Sequence, residues 1–251
     1  MFTAKRQVAT FFGNCLRMLP GPPVAGQRVL MYHAVGNRVD GDINKIYTMS
    51  RTDFLRHIET LQVVSAKYNM PFAPFGQSIN TEIAITFDDG YADALSTIGP
   101  ELSKRDIPFH VFVTPEKLTS GDPRYLSTPE LRELATIPGA TIGAHGATHR
   151  SLTSLSIADA EADLRISKQQ LEDILQAPIT SMSYPYGHMN ESVREAVQRV
   201  GFTVAACSKW GVNNECSDAL LLNRLDMWAG DNSRTIENKV LGYWNFLGRH
   251  T

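Results

Sequence analysis

Ile83-Ala84-Ile85-Thr86-Phe87-Asp88-Asp89-Gly90 is the stretch on which the reading of this chain turns. Its first five residues are short, uncharged and rich in β-branched and aromatic side chains, the make-up of a buried strand. Two adjacent carboxylates follow, closed by a glycine that permits a sharp turn. Neighbours in extended chain point to different sides. One carboxylate can therefore bind a metal while the other faces a reacting water. Taken alone, the pair also reads as an ordinary Asp-Gly turn.

Working outward, similar apolar runs occur at 29–33, 109–114, 141–145, 181–184 and 203–207, with a weaker one at 220–225. Helical patterns lie between them. Ser50 stands three residues before Asp53, and Phe54, Ile58 and Leu61 then recur on one face. Thr128-Pro129-Glu130 reads as N-cap, first-turn proline and acidic first turn. Ile157, Ala160, Leu164, Leu171 and Ile174 mark a helix that ends before Pro178, and Asn190 caps one that Gly201 closes. Further helices are expected over 92–105 and 233–247. Strand alternating with helix implies parallel strands joined by helical crossovers. Seven strands suggest an α/β barrel, complete or lacking a strand, more than an open doubly wound sheet. In such folds the chemistry gathers at the carboxyl ends of the strands.

The bulk properties narrow the function. A chain of 251 residues with 43% hydrophobic content can bury one sizeable core. Lys and Arg, 24 together, nearly balance 26 Asp and Glu, so no strong field attracts nucleic acid. Cys15, Cys207 and Cys216 are odd in number and share no CxxC spacing, which argues against a disulfide framework. Residues 1–23 form an arm, read as a short amphipathic helix docked on the domain or on a membrane surface, before a catalytic domain over 24–251. Gly13, Asn14 and Arg17 interrupt its apolar stretch, so a signal peptide is poorly supported. The compartment stays open: cytoplasmic or membrane-peripheral is favoured over secreted or periplasmic.

Two more segments could carry chemistry. In Gly143-Ala144-His145-Gly146-Ala147-Thr148-His149, two histidines four apart follow an apolar run; a helix or a tight loop can bring them together. Two imidazoles and a carboxylate with an open position suit zinc-assisted hydrolysis. In Ser183-Tyr184-Pro185-Tyr186-Gly187, proline and glycine fix the backbone after a strand, where a rigid loop can aim an N–H at a developing oxyanion. The aromatic rings can line a sugar site. His110, flanked by Phe109, Val111 and Phe112, reads as a satisfied core histidine, and His188 as a rim residue.

Together these motifs resemble the polysaccharide deacetylase family, the NodB-homology domain of carbohydrate esterase family four, from about residue 29 to 226. The resemblance implies a distorted (β/α)7 barrel. It implies Asp88 as catalytic base, with Asp89, His145 and His149 holding one divalent metal ion: zinc, with cobalt or nickel as alternatives. It places the Tyr186 N–H in the oxyanion hole, with Tyr184, Pro185 and Gly187 supporting it. The third motif departs from the family pattern, with Ser183 where many members have an arginine, and Arg224 is the residue that could supply that guanidinium. No late Leu-x-His is apparent. Met31-Tyr32-His33-Ala34-Val35 instead resembles the YHxV segment of exopolysaccharide deacetylases acting on poly-N-acetylglucosamine, which implies His33 as the general acid; the alternative is a structural histidine hydrogen-bonded to the Asp pair. Packing is the default for Trp210, Trp228 and Trp244, with Trp228 the one placed to meet a sugar. The expected activity is removal of N-acetyl groups from amino sugars in a glycan. The alternatives are a deacylase of a lipid- or nucleotide-linked acylamino sugar, or a catalytically silent sugar- or partner-binding domain.

Overall fold

A computed structural model describes residues 10, 13–15, 25–76 and 80–250. Seven parallel strands curl into a distorted barrel: β1 (Gln27–Tyr32), β4 (Glu82–Phe87), β5 (Phe109–Val113), β6 (Ala140–Ala144), β7 (Ser181–Ser183), β8 (Val204–Ala206) and β9 (Leu225–Asp226). They lie in the order β8-β7-β6-β5-β4-β1-β9. Each corresponds to one of the seven apolar runs. Two short strands that the sequence did not suggest, β2 (Ala34–Val35) and β3 (Thr48–Met49), pair as a separate parallel ribbon. Between the edge strands, the segment leading into β9 bonds to both sides. Leu222 N donates to Ala205 O at 2.9 Å, and Leu225 then pairs with Leu30 of β1. This lap closes the barrel without a continuous eighth strand.

The helices start where local chemistry directs. Helix α1 (Arg51–Tyr68) is capped by Ser50, whose side chain accepts from Asp53 N. The next helical stretch opens as a π-turn, Ala94–Ile98, before α2 (Gly99–Ser103). There the N–H of Gly99 reaches back five residues to Ala94 O. Pro100, which follows, has no N–H for an ordinary fourth-residue bond. After α3 (Pro115–Leu118), α4 (Thr128–Leu134) begins one residue earlier than expected. Its cap is Ser127, not Thr128, because Glu130 at the third position completes a capping box with Ser127. Helix α5 (Ile157–Leu175) is capped by Ser156, and α6 (Glu191–Val200) runs between Asn190 and Gly201. The last expected helix divides into α7 (Ser233–Val240) and a 3-10 segment at Asn245–His250.

The expected N-terminal arm lies mostly outside the described residues. Of its described part, Gly13 is buried, and a Cβ there would stand 2.5 Å from the Trp244 indole nitrogen. Asn14 accepts a 2.9 Å hydrogen bond from Asn238 on α7. Among the described residues, no helix is long and apolar enough to cross a membrane.

Candidate active site

The parallel register brings the carboxyl ends of β1, β4, β6 and β7 to one rim, each followed by residues singled out in the sequence. Asp88 and Asp89 follow β4. Asp89 (φ 74°) and Gly90 (φ 75°) both adopt the left-handed conformation, which reverses the chain and turns the two carboxylates apart. The rim encloses a cleft of about 550 Å³ lined by His33, Asp88, Asp89, His145, His149 and Tyr186, with the loop 39–47 along one side.

Asp89 faces both histidines. Its Oδ1 lies 3.4 Å from His145 Nε2 and 3.0 Å from His149 Nε2, and the three ligand atoms sit within 4.8 Å of one another. The His145 Nδ1–H donates to Ser183 O at 2.8 Å. In a neutral imidazole that bond leaves Nε2 as a bare lone pair pointed at a carboxylate oxygen. Asp89 Oδ1, though buried, accepts no well-formed hydrogen bond among the described residues. Lone pairs converging on one point repel unless a cation or a proton stands among them. The donor set of two imidazole nitrogens and one carboxylate therefore fits a zinc-like divalent ion. With no ion present, burial pushes the Asp89 carboxyl up. The two histidine rings at its Oδ1, with His33, more than reverse this and hold it well below the usual carboxylate range.

The HGATH segment is a loop and not a helix. Gly146 (φ 69°) and His149 (φ 55°) tighten it until the two rings lie 4.9 Å apart. Thr114 Oγ1 donates to His145 O at 3.1 Å, and Glu116 N donates to Ala147 O at 3.1 Å.

Asp88 is turned the other way, into the barrel. Arg224, fully buried, grips it with both ends of the guanidinium: Nη1 to Oδ1 at 2.7 Å and Nη2 to Oδ2 at 2.8 Å. Arg224 also donates to Ser183 Oγ at 2.8 Å and to Cys207 O at 2.9 Å. The arginine missing from position 183 thus has a counterpart reaching Asp88 from just before β9, with Ser183 as one of its acceptors. Burial alone would raise the Asp88 carboxyl. The Arg224 charge, then His145 and the Arg224 hydrogen bond, leave it below its ordinary value.

His33 lies across the cleft, its ring 4.6 Å from that of Tyr47. Its Nδ1 is buried without a hydrogen bond among the described residues. Asp226, not singled out in the sequence for any role, lines the same cleft and accepts from the Tyr47 hydroxyl at 3.2 Å. Burial raises the Asp226 carboxyl, opposed by the charges of Lys239 and His33. Tyr47 and Asp226 carried no local motif that could have marked them.

The third motif divides. Tyr186 (φ 60°) is 61% exposed, with its ring 4.8 Å from that of His149, and Gly187 (φ 68°) sits against Ser208. Pro185 is buried beneath the loop. Tyr184, expected near the sugar, is instead a core residue. It is fully buried and its hydroxyl donates to Leu220 O at 2.9 Å, because the strand pleat turns its side chain inward.

Trp228 is likewise corrected. It does not line the cleft but packs tilted against Trp210 and edge-on against Trp244, each pair of ring centroids 5.7 Å apart. The buried Lys239 Nζ lies 3.9 Å from its ring centre. A buried cation against three indoles is stabilised where it stands, which keeps Trp228 out of the cleft. His110 is a core histidine, bonded to Ser181 Oγ at 2.7 Å, and His188 is exposed at the rim, bonded to Ser151 Oγ at 3.0 Å.

Residues 76–205, more than half of the chain, match the family model described as polysaccharide deacetylase. That span holds Asp88, Asp89, both histidines and Tyr186, while His33, Arg224 and Asp226 lie outside it. The putative polysaccharide deacetylase YxkH of Bacillus subtilis (strain 168) is 25% identical over 148 residues, 59% of this chain. The match covers 52% of that relative, so the chain spans about half the length of the curated relative it resembles. Two solved structures share the fold. One is the deacetylase PplD of Streptococcus pyogenes, in complex with acetate (TM-score 0.73, 18% identity, covering 85% of this chain and 97% of that one). The other is IcaB from Ammonifex degensii (TM-score 0.74, 20% identity, covering 88% and 100%). By its family match and its barrel, the chain belongs to the polysaccharide deacetylase family.

Proposed function

We propose that the chain hydrolyses the acetamide of an N-acetylated amino sugar within a glycan, using a divalent cation held by Asp89, His145 and His149. The observation that carries this reading is the division of labour between adjacent aspartates. Asp89 joins two imidazoles in a set of cation ligands, while Asp88 is clamped by Arg224 at the floor of the same cleft. When bound, a zinc-like ion polarises a carbonyl oxygen and lowers the pKa of water from 15.7 toward about 7, so a carboxylate as weakly basic as Asp88 can take its proton.

Asp88 accepts a proton from water as the water oxygen adds to the acetamide carbon. Arg224 keeps that carboxylate ionised and fixed in direction. The Tyr186 N–H, on the rigid Pro185–Gly187 turn, donates to the oxyanion that develops. His33 gives a proton to the amine nitrogen as the C–N bond breaks, leaving acetate and a free amino sugar. Asp226 accepts from the Tyr47 hydroxyl and so fixes the ring that packs against His33 in the same cleft. Past Tyr186, Gly187 and His188 the cleft continues into a groove of about 960 Å³ lined by Met189, Asn190, Lys209 and Asn223. That continuation supports a polymer as substrate over a single lipid- or nucleotide-linked sugar.

The test measures zinc content and acetate release from acetylated chito-oligomers. Asp88→Asn is expected to keep zinc and lose roughly 10²–10⁴-fold in turnover. His149→Ala is expected to weaken zinc binding itself. Near-normal turnover in Asp88→Asn would remove it as the base. A wild-type chain that binds no metal and releases no acetate would instead be a sugar- or partner-binding domain.

A further inference from the structure

A carboxylate outside the cleft holds the loop that carries both histidine ligands. Asp163 lies on α5, outside every motif, and is only 7% exposed. Its Oδ1 accepts from the backbone N–H of Ala147 at 2.7 Å, and its Oδ2 accepts from Thr148 Oγ1 at 2.7 Å. Ala147 and Thr148 are the two residues just before His149 in the His-x₃-His segment. One side chain therefore grips that segment from behind. It also crowds the turn, since a Cβ on Gly146 would meet Asp163 Oδ1 at 3.1 Å.

The loop needs such a grip. On a helix, backbone hydrogen bonds would hold two histidines four apart on one face. Here the segment is irregular, and His149 sits at φ 55°, a conformation unfavourable for a residue with a Cβ. Such a conformation persists only where its surroundings over-determine it. Among the described residues, no lysine or arginine forms an ion pair with Asp163, so the loop's own N–H and hydroxyl are the donors that make its burial tolerable.

We infer that Asp163 is a positioning residue of the metal centre, one that sets the backbone of His145–His149 so that both Nε2 atoms meet Asp89. This rests on the reading of Asp89, His145 and His149 as metal ligands. The test is zinc and cobalt affinity of the metal-depleted chain, by competition with a chromophoric chelator. Wild type is compared with Asp163→Ala, Asp163→Asn and Thr148→Val. Removing an outer partner of this kind is expected to weaken metal binding roughly 10–100-fold in Asp163→Ala. Asparagine should recover most of the loss, because its oxygen can accept from Ala147 N–H and its amide can donate to the Thr148 hydroxyl. Thr148→Val, which removes one of the two bonds at an exposed residue, should fall between. Failure of asparagine to rescue would mean that charge, not positioning, is at work, and would overturn the inference. Wild-type affinity in Asp163→Ala would overturn it too. If that variant does not fold, Thr148→Val decides: weakened binding supports the inference and unchanged binding refutes it. Failure of the wild type to bind zinc or cobalt would sink the metal reading itself, and this inference with it.

Discussion

Replacing Arg224 with methionine would test the central pair of the site. The exchange keeps much of the side-chain volume and removes every hydrogen-bond donor. Arg224 is fully buried and the Asp88 side chain is 4% exposed, so water cannot rescue the abandoned carboxylate. Removing one partner of such a pair costs about 3–5 kcal/mol. Cys207 O and Ser183 Oγ lose their donor as well, which places the expectation in the upper half of that range. Against a typical total of about 5–15 kcal/mol, this is a large fraction. For a chain of this size it corresponds to a fall in Tm of roughly 8–20 °C.

The assay is urea unfolding of metal-depleted protein, with Asp88→Asn and the double variant completing a cycle. The double variant should lose less than the sum of the singles. pH gives a second check. The Asp88 carboxyl is held below its ordinary value in the folded state, so its contribution is present above the unfolded value near 3.9 and is lost as pH falls through the folded one. Without Arg224, burial raises the Asp88 carboxyl, so the deficit of Arg224→Met should be largest near pH 7 and shrink as pH falls toward about 4 and the variant's carboxyl takes up a proton. A loss under about 1 kcal/mol, or a cycle additive to within about 0.5 kcal/mol, would refute the argument.

Three further outcomes are expected. Burial, with Asp231 opposing, lowers His57 to about 4, and burial lowers His110 to about 3, so both are neutral when folded. The unfolded chain takes up protons from about pH 6.5 downward, and stability should fall with pH across that window; His57→Gln should flatten the slope measured by urea titration at several pH values. Trp228→Leu should destabilise the metal-free protein by about 3 kcal/mol while leaving the KM for chito-oligomers unchanged; a raised KM at full stability would return Trp228 to the cleft. Asp226→Asn should lower kcat without altering zinc affinity, and an unchanged kcat would exclude it from proton delivery by His33.

Much of this protein is legible in short stretches of its sequence. The run 83–90 reads as strand, carboxylate pair and turn because sterics and hydrophobic patterning act over a few residues. The same holds for the Asn190 cap, the Gly201 stop and the histidine loop, and alternating strands and helices point to a parallel barrel. Local reading fails where the outcome depends on what packs behind a segment. Arg224 is a candidate only because the resemblance leaves an arginine missing at Ser183; strand order is what brings its guanidinium to a carboxylate 136 positions away. In the sequence Tyr184 is expected to support a sugar site, and Trp228, with packing its default, is the indole placed to meet a sugar; pleat turns the first into core and the Lys239 cluster the second. Asp163, Tyr47 and Asp226 sit in no motif, and only the folded barrel brings them to the site. The sequence by itself determined which groups could hold a metal and end strands at one rim. The tertiary structure decided which distant residues hold those groups in place, because a buried charge settles wherever the fold supplies its partner.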